Sequence, residues 1–186
     1  MDGFEFVREE LLRLGLTLKS ESIQIKKGHY LLIQGQPLSS LYWIKNGLLR
    51  EFHDDGAEEF TNSFPSTGSF YLTGFYFGER IYSSFTVEAL ENSNIETLSL
   101  KILDDPKIEA VVRLEILKKI STIKYDQNLN WKLINGRKSF LHRWELFKEK
   151  YPGIWYRIPQ KHLACFFNVT PQYLSLIHIS EPTRPY

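Results

Sequence analysis

The sequence of 186 residues has a single cysteine, Cys165, and no long hydrophobic run. One cysteine excludes an intramolecular disulfide and leaves no cysteine cluster for zinc or an iron–sulfur centre, so we expect Cys165 to be a small buried residue. The N-terminus, MDGFEFVREELLRLG, fits neither a secretory signal nor a membrane span of about 20 residues. We therefore predict a cytoplasmic protein.

The pattern of residues also lacks the marks of a catalytic site. No phosphate-cradling glycine loop and no Ser-His-Asp arrangement is visible, and the histidines stand apart from one another. We predict that the protein is not an enzyme and that it has no metal site and no cofactor. Isolated histidines leave a haem sensor open, and the candidates are His29, His53, His142 and His162.

The net charge of +1 hides an uneven distribution. Residues 1 to 130 hold 14 Lys and Arg against 19 Asp and Glu, whereas residues 131 to 175 hold eight against two. A compact basic segment joined to an acidic body indicates contact with a polyanion at the C-terminal end.

Hydrophobic content of 42% is enough for a sizeable core in one or two domains. A first helix is predicted from apolar residues three or four apart, Phe4, Val7, Leu11 and Leu14. From Ile23 to about Leu103, short β-rich runs punctuated by glycines predict an antiparallel barrel or roll. Within it, LYWIKNGLLREFHDDGAEEFTNSF predicts three strands with turns at Asn46-Gly47 and Asp55-Gly56.

A long helix is predicted to follow, opened by Asp104, Asp105 and Pro106. It carries two apolar stripes, and we expect one to pack on the β body and the other to meet a second copy. The alternative is a single broad face buried within the monomer. The stripe predicted to form the dimer seam consists of Val112, Ile116, Ile120 and Ile123, and the neighbouring stripe consists of Ile108, Val111, Leu114 and Leu117.

The basic segment predicts three further helices. The first buries an aromatic stripe, Phe140, Trp144, Phe147 and Tyr151. In IPQKHLACFFNVTPQYLS, a helix ends at Asn168 in a left-handed turn, and a second helix begins at its cap, Thr170. Ala164 and Leu174 are expected to pack together across that turn. The spacing favours a helix-turn-helix whose second helix enters the major groove, and a plain helical hairpin is the alternative.

Two stretches, IKKGHYLLIQGQPLSSLYWIKNGLLREFHDDGAEE and YPGIWYRIPQKHLACFFNVTPQYLS, resemble the Crp/Fnr family of transcription regulators, particularly its divergent members from Bacteroidetes-like bacteria. The resemblance implies an α+β fold and a homodimer on two-fold-related DNA. The implied domains are a cyclic-nucleotide-binding-like β-roll over residues 1–105, a dimerisation helix over 106–134 and an incomplete winged helix-turn-helix over 135–175.

The second helix of the motif supplies most of the expected DNA contacts. Gln172 is expected to read a base edge, and the hydroxyl groups of Thr170, Tyr173 and Ser175 to meet phosphate. Arg157 and Lys161 are expected to add contacts to the DNA backbone.

Members of this family that bind cyclic nucleotides hold the phosphate with an arginine and the ribose with a glutamate. The corresponding positions here are Ser83 and Ser69, beside Ser84 and Gly68. Serines cannot replace a guanidinium, and Arg80 substitutes only if its loop bends inward. We therefore predict a regulator that does not respond to cyclic AMP, with an unknown small-molecule effector left open at these positions.

The end of the chain, LSLIHISEPTRPY, resembles a translated sequencing adapter, so residues 176–186 are expected to be a non-native tail. The 186-residue chain is accordingly expected to give no specific retardation of promoter DNA, unlike a version with the genomic continuation. Two alternatives stay open: a small-molecule receptor module, and a dimerisation partner that does not bind DNA.

Overall fold

The computed structural model describes residues 3–13, 20–71 and 81–178. The helices are α1 (Gly3–Arg13), α2 (Ala110–Asn135), α3 (Phe140–Lys150), α4 (Gln160–Phe167) and α5 (Pro171–His178), with 3-10 turns at Leu100–Asp104 and Trp155–Arg157. The strands are β1 (Ser20–Ile25), β2 (Tyr30–Leu32), β3 (Pro37–Leu38), β4 (Ser40–Asn46), β5 (Leu49–Asp54), β6 (Glu59–Ser63), β7 (Phe70–Tyr71), β8 (Ile81–Tyr82), β9 (Thr86–Ala89) and β10 (Ser93–Ser99). This order of strands followed by helices confirms the predicted α+β class.

The strands form two four-stranded antiparallel sheets, ordered β1-β10-β4-β7 and β2-β9-β5-β6, with β3 and β8 paired separately. The roll interior is apolar because alternate residues of the strands point inward. Its buried residues are Ile25, Leu32, Leu38, Tyr42, Ile44, Leu49, Tyr71, Val87, Ala89 and Ile95. None of the described helices is both long and apolar enough to cross a membrane.

The two predicted turns, at Asn46-Gly47 and Asp55-Gly56, connect their strands in different ways. Asp55-Gly56 joins β5 and β6 as a hairpin, and Gly56 has the expected positive φ of 87°. Gly47 instead carries the chain from one sheet to the other, since β4 and β5 belong to different sheets. A Cβ on Gly47 would lie 2.5 Å from the Cβ of Ser93, so this crossing requires glycine.

Helix α2 begins at Ala110, after a 3-10 turn, rather than near Pro106 as predicted. Its first half packs with α1 against the outer face of the first sheet. Ile116 is fully buried in that contact and Val112 is packed against it, so the prediction that this stripe faces a second copy is wrong for Ile116. The side chains of Ile120 and Ile123 lie outside the described residues.

The opposite face of α2 carries an apolar stripe that is open to solvent. Val111 is 66% exposed and Leu114 is 67% exposed, and the stripe continues through Tyr125, Leu129 and Leu133. At 1.5 Å per residue these apolar residues span about 33 Å, with the exposed polar residues Lys118 and Thr122 between Leu114 and Tyr125. The stripe of Val112 and Ile116 packs on the roll, whereas the neighbouring stripe is divided: Ile108 and Leu117 belong to the same contact, and Val111 and Leu114 are exposed.

The roll and the C-terminal unit, which we define as residues 140–178, share one core. Three roll residues, Leu48, Phe64 and Leu90, belong to the same buried cluster as the aromatic side chains of α3 and α4. The ring of Phe64 lies 5.4 Å from that of Phe166 and 6.1 Å from that of Phe147. The C-terminal unit is therefore packed onto the roll rather than hanging from α2 alone.

Candidate nucleic-acid interface

The turn between α4 and α5 has the predicted geometry. Asn168 adopts φ 51° and ψ 52°, the left-handed conformation that asparagine tolerates better than most residues. The amide N–H of Val169 donates to the carbonyl oxygen of Ala164 at 3.0 Å, and that of Asn168 donates to Cys165 at 3.2 Å. These bonds close α4 and turn the chain sharply into α5.

The two helices also pack as the spacing predicts. Ala164 and Leu174 are both buried and belong to the same apolar cluster. Thr170 caps α5, because its Oγ1 accepts a hydrogen bond from the amide of Tyr173 at 3.2 Å. Pro171 occupies the first helical position. The sequence therefore folds locally as helix, tight turn and helix.

The start of α5 points its polar side chains away from the core. Thr170, Gln172 and Tyr173 are exposed, as is Lys161 on α4. Ser175 is half-buried, and its hydroxyl donates to the amide oxygen of Gln160 at 3.4 Å. Four of the six predicted DNA contacts thus lie on open surface, whereas Ser175 faces the other helix.

A basic pair that sequence reasoning did not single out lies at the same end of the unit. Arg137 and Lys138 are exposed and directly precede α3. The first residue of α3, Phe140, contacts Tyr173 of α5 with ring centroids 5.5 Å apart. This contact brings the start of α3, and with it the basic pair, beside α5. The excess of basic residues after residue 130 was the available signal.

Other basic residues of this segment serve the fold. Arg143 donates from Nη1 to the carbonyl oxygen of Phe167 at 2.8 Å, which ties α3 to the end of α4. Lys148 pairs with Glu145 at 3.0 Å on the same helix. The basic count of the segment therefore overstates the charge available to a polyanion.

Arg157 has a protein partner instead of an open position. Its Nε donates to Oε1 of Glu91 at 2.9 Å, and its Nη2 donates to the other carboxylate oxygen. This bidentate pair lowers the pKa of Glu91 and raises that of Arg157. Because Glu91 lies between β9 and β10, the pair joins the C-terminal unit to the roll, which differs from the predicted contact with DNA.

A second charged contact joins the roll to α4. Arg50 on β5 is 2% exposed and donates to Glu59 at 2.6 Å and to Thr61 at 2.9 Å. Its guanidinium also lies 3.8 Å from the sulfur of Cys165. Cys165 is half-buried at this contact and donates to the carbonyl oxygen of Glu59, so its surroundings are more polar than predicted.

His162 is buried on α4 near the same contact. Burial first, and then the positive charge of Arg50, lower the pKa of His162 to about 3. His162 is therefore neutral at neutral pH. The described residues include no group of three or more His, Cys, Asp or Glu side chains able to hold a metal ion.

The predicted effector residues fall at separate places. Gly68 has a φ of 82°, and Ser69 beside it lines a cavity between the roll and α2. Ser83 is buried and its hydroxyl donates to the carbonyl oxygen of Phe85, while the carbonyl oxygen of Ser84 bonds with the ring of His53. Arg80 lies outside the described residues.

Comparison with known proteins gives matches among solved structures. No family model and no curated protein matches the chain. Among solved structures, FixK2 from Bradyrhizobium japonicum is 13% identical, with a TM-score of 0.67 over 86% of this chain and 85% of that one. The regulator CLP of Xanthomonas campestris, described as c-di-GMP responsive, is 12% identical, with a TM-score of 0.65 over 93% and 89%.

A third structure, assigned to the Crp/Fnr family of transcriptional regulators and coming from Eubacterium rectale, is 18% identical, with a TM-score of 0.61 over 86% of this chain and 76% of that one. At such identities the likeness establishes the fold. The chain has the Crp/Fnr-like fold, and the cyclic-nucleotide-binding-like roll is as the first of its two stretches of sequence predicted.

Proposed function

We propose that the protein is a DNA-binding transcription regulator of the Crp/Fnr type that acts as a homodimer in the cytoplasm and does not respond to cyclic AMP. The observation that carries this proposal is the exposed start of α5 with the basic pair Arg137–Lys138 beside it. The fold likeness to regulators supports the same function.

In this proposal the exposed start of α5 enters the major groove. Gln172 reads a base edge, while Lys161 and the hydroxyls of Thr170 and Tyr173 position the helix on phosphates. Arg137 and Lys138 neutralise further phosphates at the same end. Arg157 is left out of the interface because Glu91 occupies its guanidinium, and Ser175 contributes by holding α5 to α4.

The homodimer is proposed to form through the exposed stripe of α2, Val111 to Leu133. Exposed apolar residues on one face of a helix, here spread over about 33 Å, are the pattern that pairs with a second helix, and α2 already uses its other face within the chain. A second copy is the occupant that makes the surface self-complementary about a two-fold axis.

DNA binding is tested by its salt dependence, with fluorescence anisotropy of a labelled duplex between about 50 and 200 mM salt. Replacing both Arg137 and Lys138 by alanine is expected to lower the slope of log K against log salt by about 2, since each phosphate contact contributes about 0.9. The matched control replaces Lys101 and Lys107, which are exposed and precede the start of α2, and it is expected to leave the slope unchanged. Equal slopes for both double variants would contradict the proposed interface.

The dimer is tested by sedimentation velocity. Leu114→Glu places a charge on the exposed stripe and is expected to give a monomer. Ile33→Glu changes an exposed apolar residue of the roll and is expected to leave the dimer intact. A wild-type protein that sediments as a monomer at all concentrations would refute this part of the proposal.

A further inference from the structure

The exposed start of α5 is held from behind by two side chains of α3. The ring of Phe140, the first residue of α3, lies 5.5 Å from the ring of Tyr173 on α5 and 5.3 Å from that of Phe167, the last residue of α4. One turn further along α3, Arg143 donates from Nη1 to the carbonyl oxygen of Phe167 at 2.8 Å. The two side chains of α3 therefore contact the residues before and after the turn between α4 and α5.

The bond from Arg143 falls on a carbonyl group that the helix itself leaves open. The carbonyl oxygen of Phe167 belongs to the last turn of α4, where carbonyl groups have no partner within the helix. A positive charge at the C-terminal end of a helix is also favoured by the helix dipole. Because α5 begins at Pro171, only four residues later, this bond bears on the direction in which the chain leaves α4 and enters α5.

The surroundings of Arg143 offset part of what its bond contributes to stability. Its guanidinium carbon lies 5.6 Å from the centroid of the Phe140 ring, and its Nε is buried without a hydrogen-bond partner among the described residues. A buried donor without an acceptor costs free energy, and an apolar side chain of similar length would avoid that cost. What Arg143 adds at this place is therefore the orienting bond to Phe167 more than the stability of the fold.

We propose that Arg143 is a positioning residue for DNA binding, which fixes the exposed start of α5 relative to the basic pair Arg137–Lys138. The basic pair directly precedes α3, so one helix carries both the charges that meet phosphate and the contacts that orient α5. Arg143 acts through Phe167 and together with Phe140, and it does not itself contact the duplex. This inference rests on the proposed DNA binding, whereas the orientation of α5 can be measured without DNA.

The first test separates the hydrogen bond of Arg143 from its charge. Arg143→Met and Arg143→Gln both remove the charge, but only glutamine retains an N–H donor for Phe167. Lys150→Met removes a charge from the exposed end of the same helix and is the control. In fluorescence anisotropy with a labelled duplex at about 50 mM salt, Arg143→Met is expected to bind about fivefold more weakly than the control, with Arg143→Gln between them. Binding by Arg143→Met within about twofold of the control would overturn the proposal.

A double-mutant cycle distinguishes positioning from a general effect on the fold. Tyr173→Phe removes a hydroxyl proposed to meet phosphate but keeps the ring that contacts Phe140, and it is expected to weaken DNA binding about threefold in the wild type. In the Arg143→Met background the same change is expected to have less than about half of that effect. Replacing Arg137 and Lys138 by alanine is expected to cost the same in both backgrounds. Additive effects of Arg143→Met and Tyr173→Phe, or equal coupling to the basic pair, would overturn the proposal.

Hydrogen–deuterium exchange of the 186-residue protein without DNA gives a readout that does not depend on the DNA interface. Arg143→Met is expected to speed exchange at residues 171–175 relative to the wild type and to leave the roll strands unchanged, whereas Lys150→Met is expected to change neither. Unchanged exchange at residues 171–175 would overturn the proposal whatever the DNA result. Faster exchange there in a protein that binds no duplex would reject the DNA interface and leave the contact between Arg143 and α5 in place.

Discussion

Strand β5 carries two buried charges on adjacent residues that face opposite sides of the sheet. Arg50 points outward towards α4, where it lies near the sulfur of Cys165, and it pairs with Glu59 of the neighbouring strand β6. Glu51 points into the roll, where its partners are the neutral donors Tyr71, Asn62 and Ser63. Successive side chains of a β-strand point to opposite faces, so these two adjacent residues lie on opposite sides of the sheet.

The comparison teaches that equal burial does not mean an equal role. The outward charge is matched by carboxylates and lies at the contact between the roll and the C-terminal unit, so it bears on how that unit is held. The inward carboxylate accepts hydrogen bonds from Tyr71, Asn62 and Ser63, so it bears on how the strands and the interior of the roll are held together. Each charge can be removed separately.

The largest loss in the free energy of unfolding is expected when the outward side chain, Arg50, is replaced. Arg50→Ala leaves Glu88 and Glu59 without their cation and removes packing against Phe52, so unfolding in urea is expected to require about 3 kcal/mol less free energy. Lys45→Ala, which breaks a pair between a half-exposed lysine and Glu96, is the control and is expected to cost below about 1 kcal/mol. Equal losses in the two variants would show that Arg50 is not held as described.

Replacing the inward side chain, Glu51, is expected to lower the free energy of unfolding somewhat less. Glu51→Gln presents an N–H group to donors that need an acceptor, at a cost of about 2 kcal/mol in the free energy of unfolding. A double-mutant cycle with Tyr71→Phe is expected to give a coupling of about 1 kcal/mol, because the two side chains share a hydrogen bond. Additive effects in the cycle would contradict the shared bond.

A pH effect is expected on the outward side, at His162. Its folded pKa lies below the ordinary value of about 6.5, so the unfolded state binds the extra proton first. The contribution of the neutral histidine is complete above pH 6.5 and is lost as pH falls from there towards 3. His162→Phe is expected to flatten the melting temperature in this interval relative to the wild type, and parallel pH profiles would refute the assignment.

The smallest effect is expected at the pair between Glu91 and Arg157. Both side chains are about one-third exposed, so Arg157→Gln is expected to cost below about 1 kcal/mol. Because Arg157 lowers the pKa of Glu91, this contribution is present above the ordinary pKa of glutamate and is lost as pH falls through the lowered value. The difference between wild type and variant in the free energy of unfolding is therefore expected to be smaller at pH 3 than at pH 7, and a difference that does not shrink at pH 3 would argue against an ion pair.

Local sequence patterns predicted the elements well and their packing less well. The turn at Asn168, the cap at Thr170 and the positive φ at Gly47 each depend on one or two neighbouring residues, so the residue types predict them, whereas the crossing between sheets at Gly47 was not predicted. Periodicity also located two apolar stripes on α2. Which stripe meets the roll depends on distant strands, and Ile116 was therefore assigned to the wrong side.

The charged contacts could not be predicted from the sequence, for a related reason. Arg157 and Glu91 are 66 residues apart in the chain, and nothing local marks either as half of a pair. Arg50 and Glu51 are charged residues, which usually occupy exposed positions of a strand. Both are buried here because α4 covers one side of β5 and the roll covers the other. Tertiary contact overrides the local preference for water in both cases.

Hydrogen–deuterium exchange of the protein with and without excess duplex DNA, at low salt, tests the central claim most directly. The account predicts slower exchange on adding DNA at the exposed start of α5, residues 171–175, and at the basic pair before α3, residues 137 and 138, with the roll strands unchanged. Slowing confined to the roll, or no change at α5 under conditions where the duplex is bound, would contradict it.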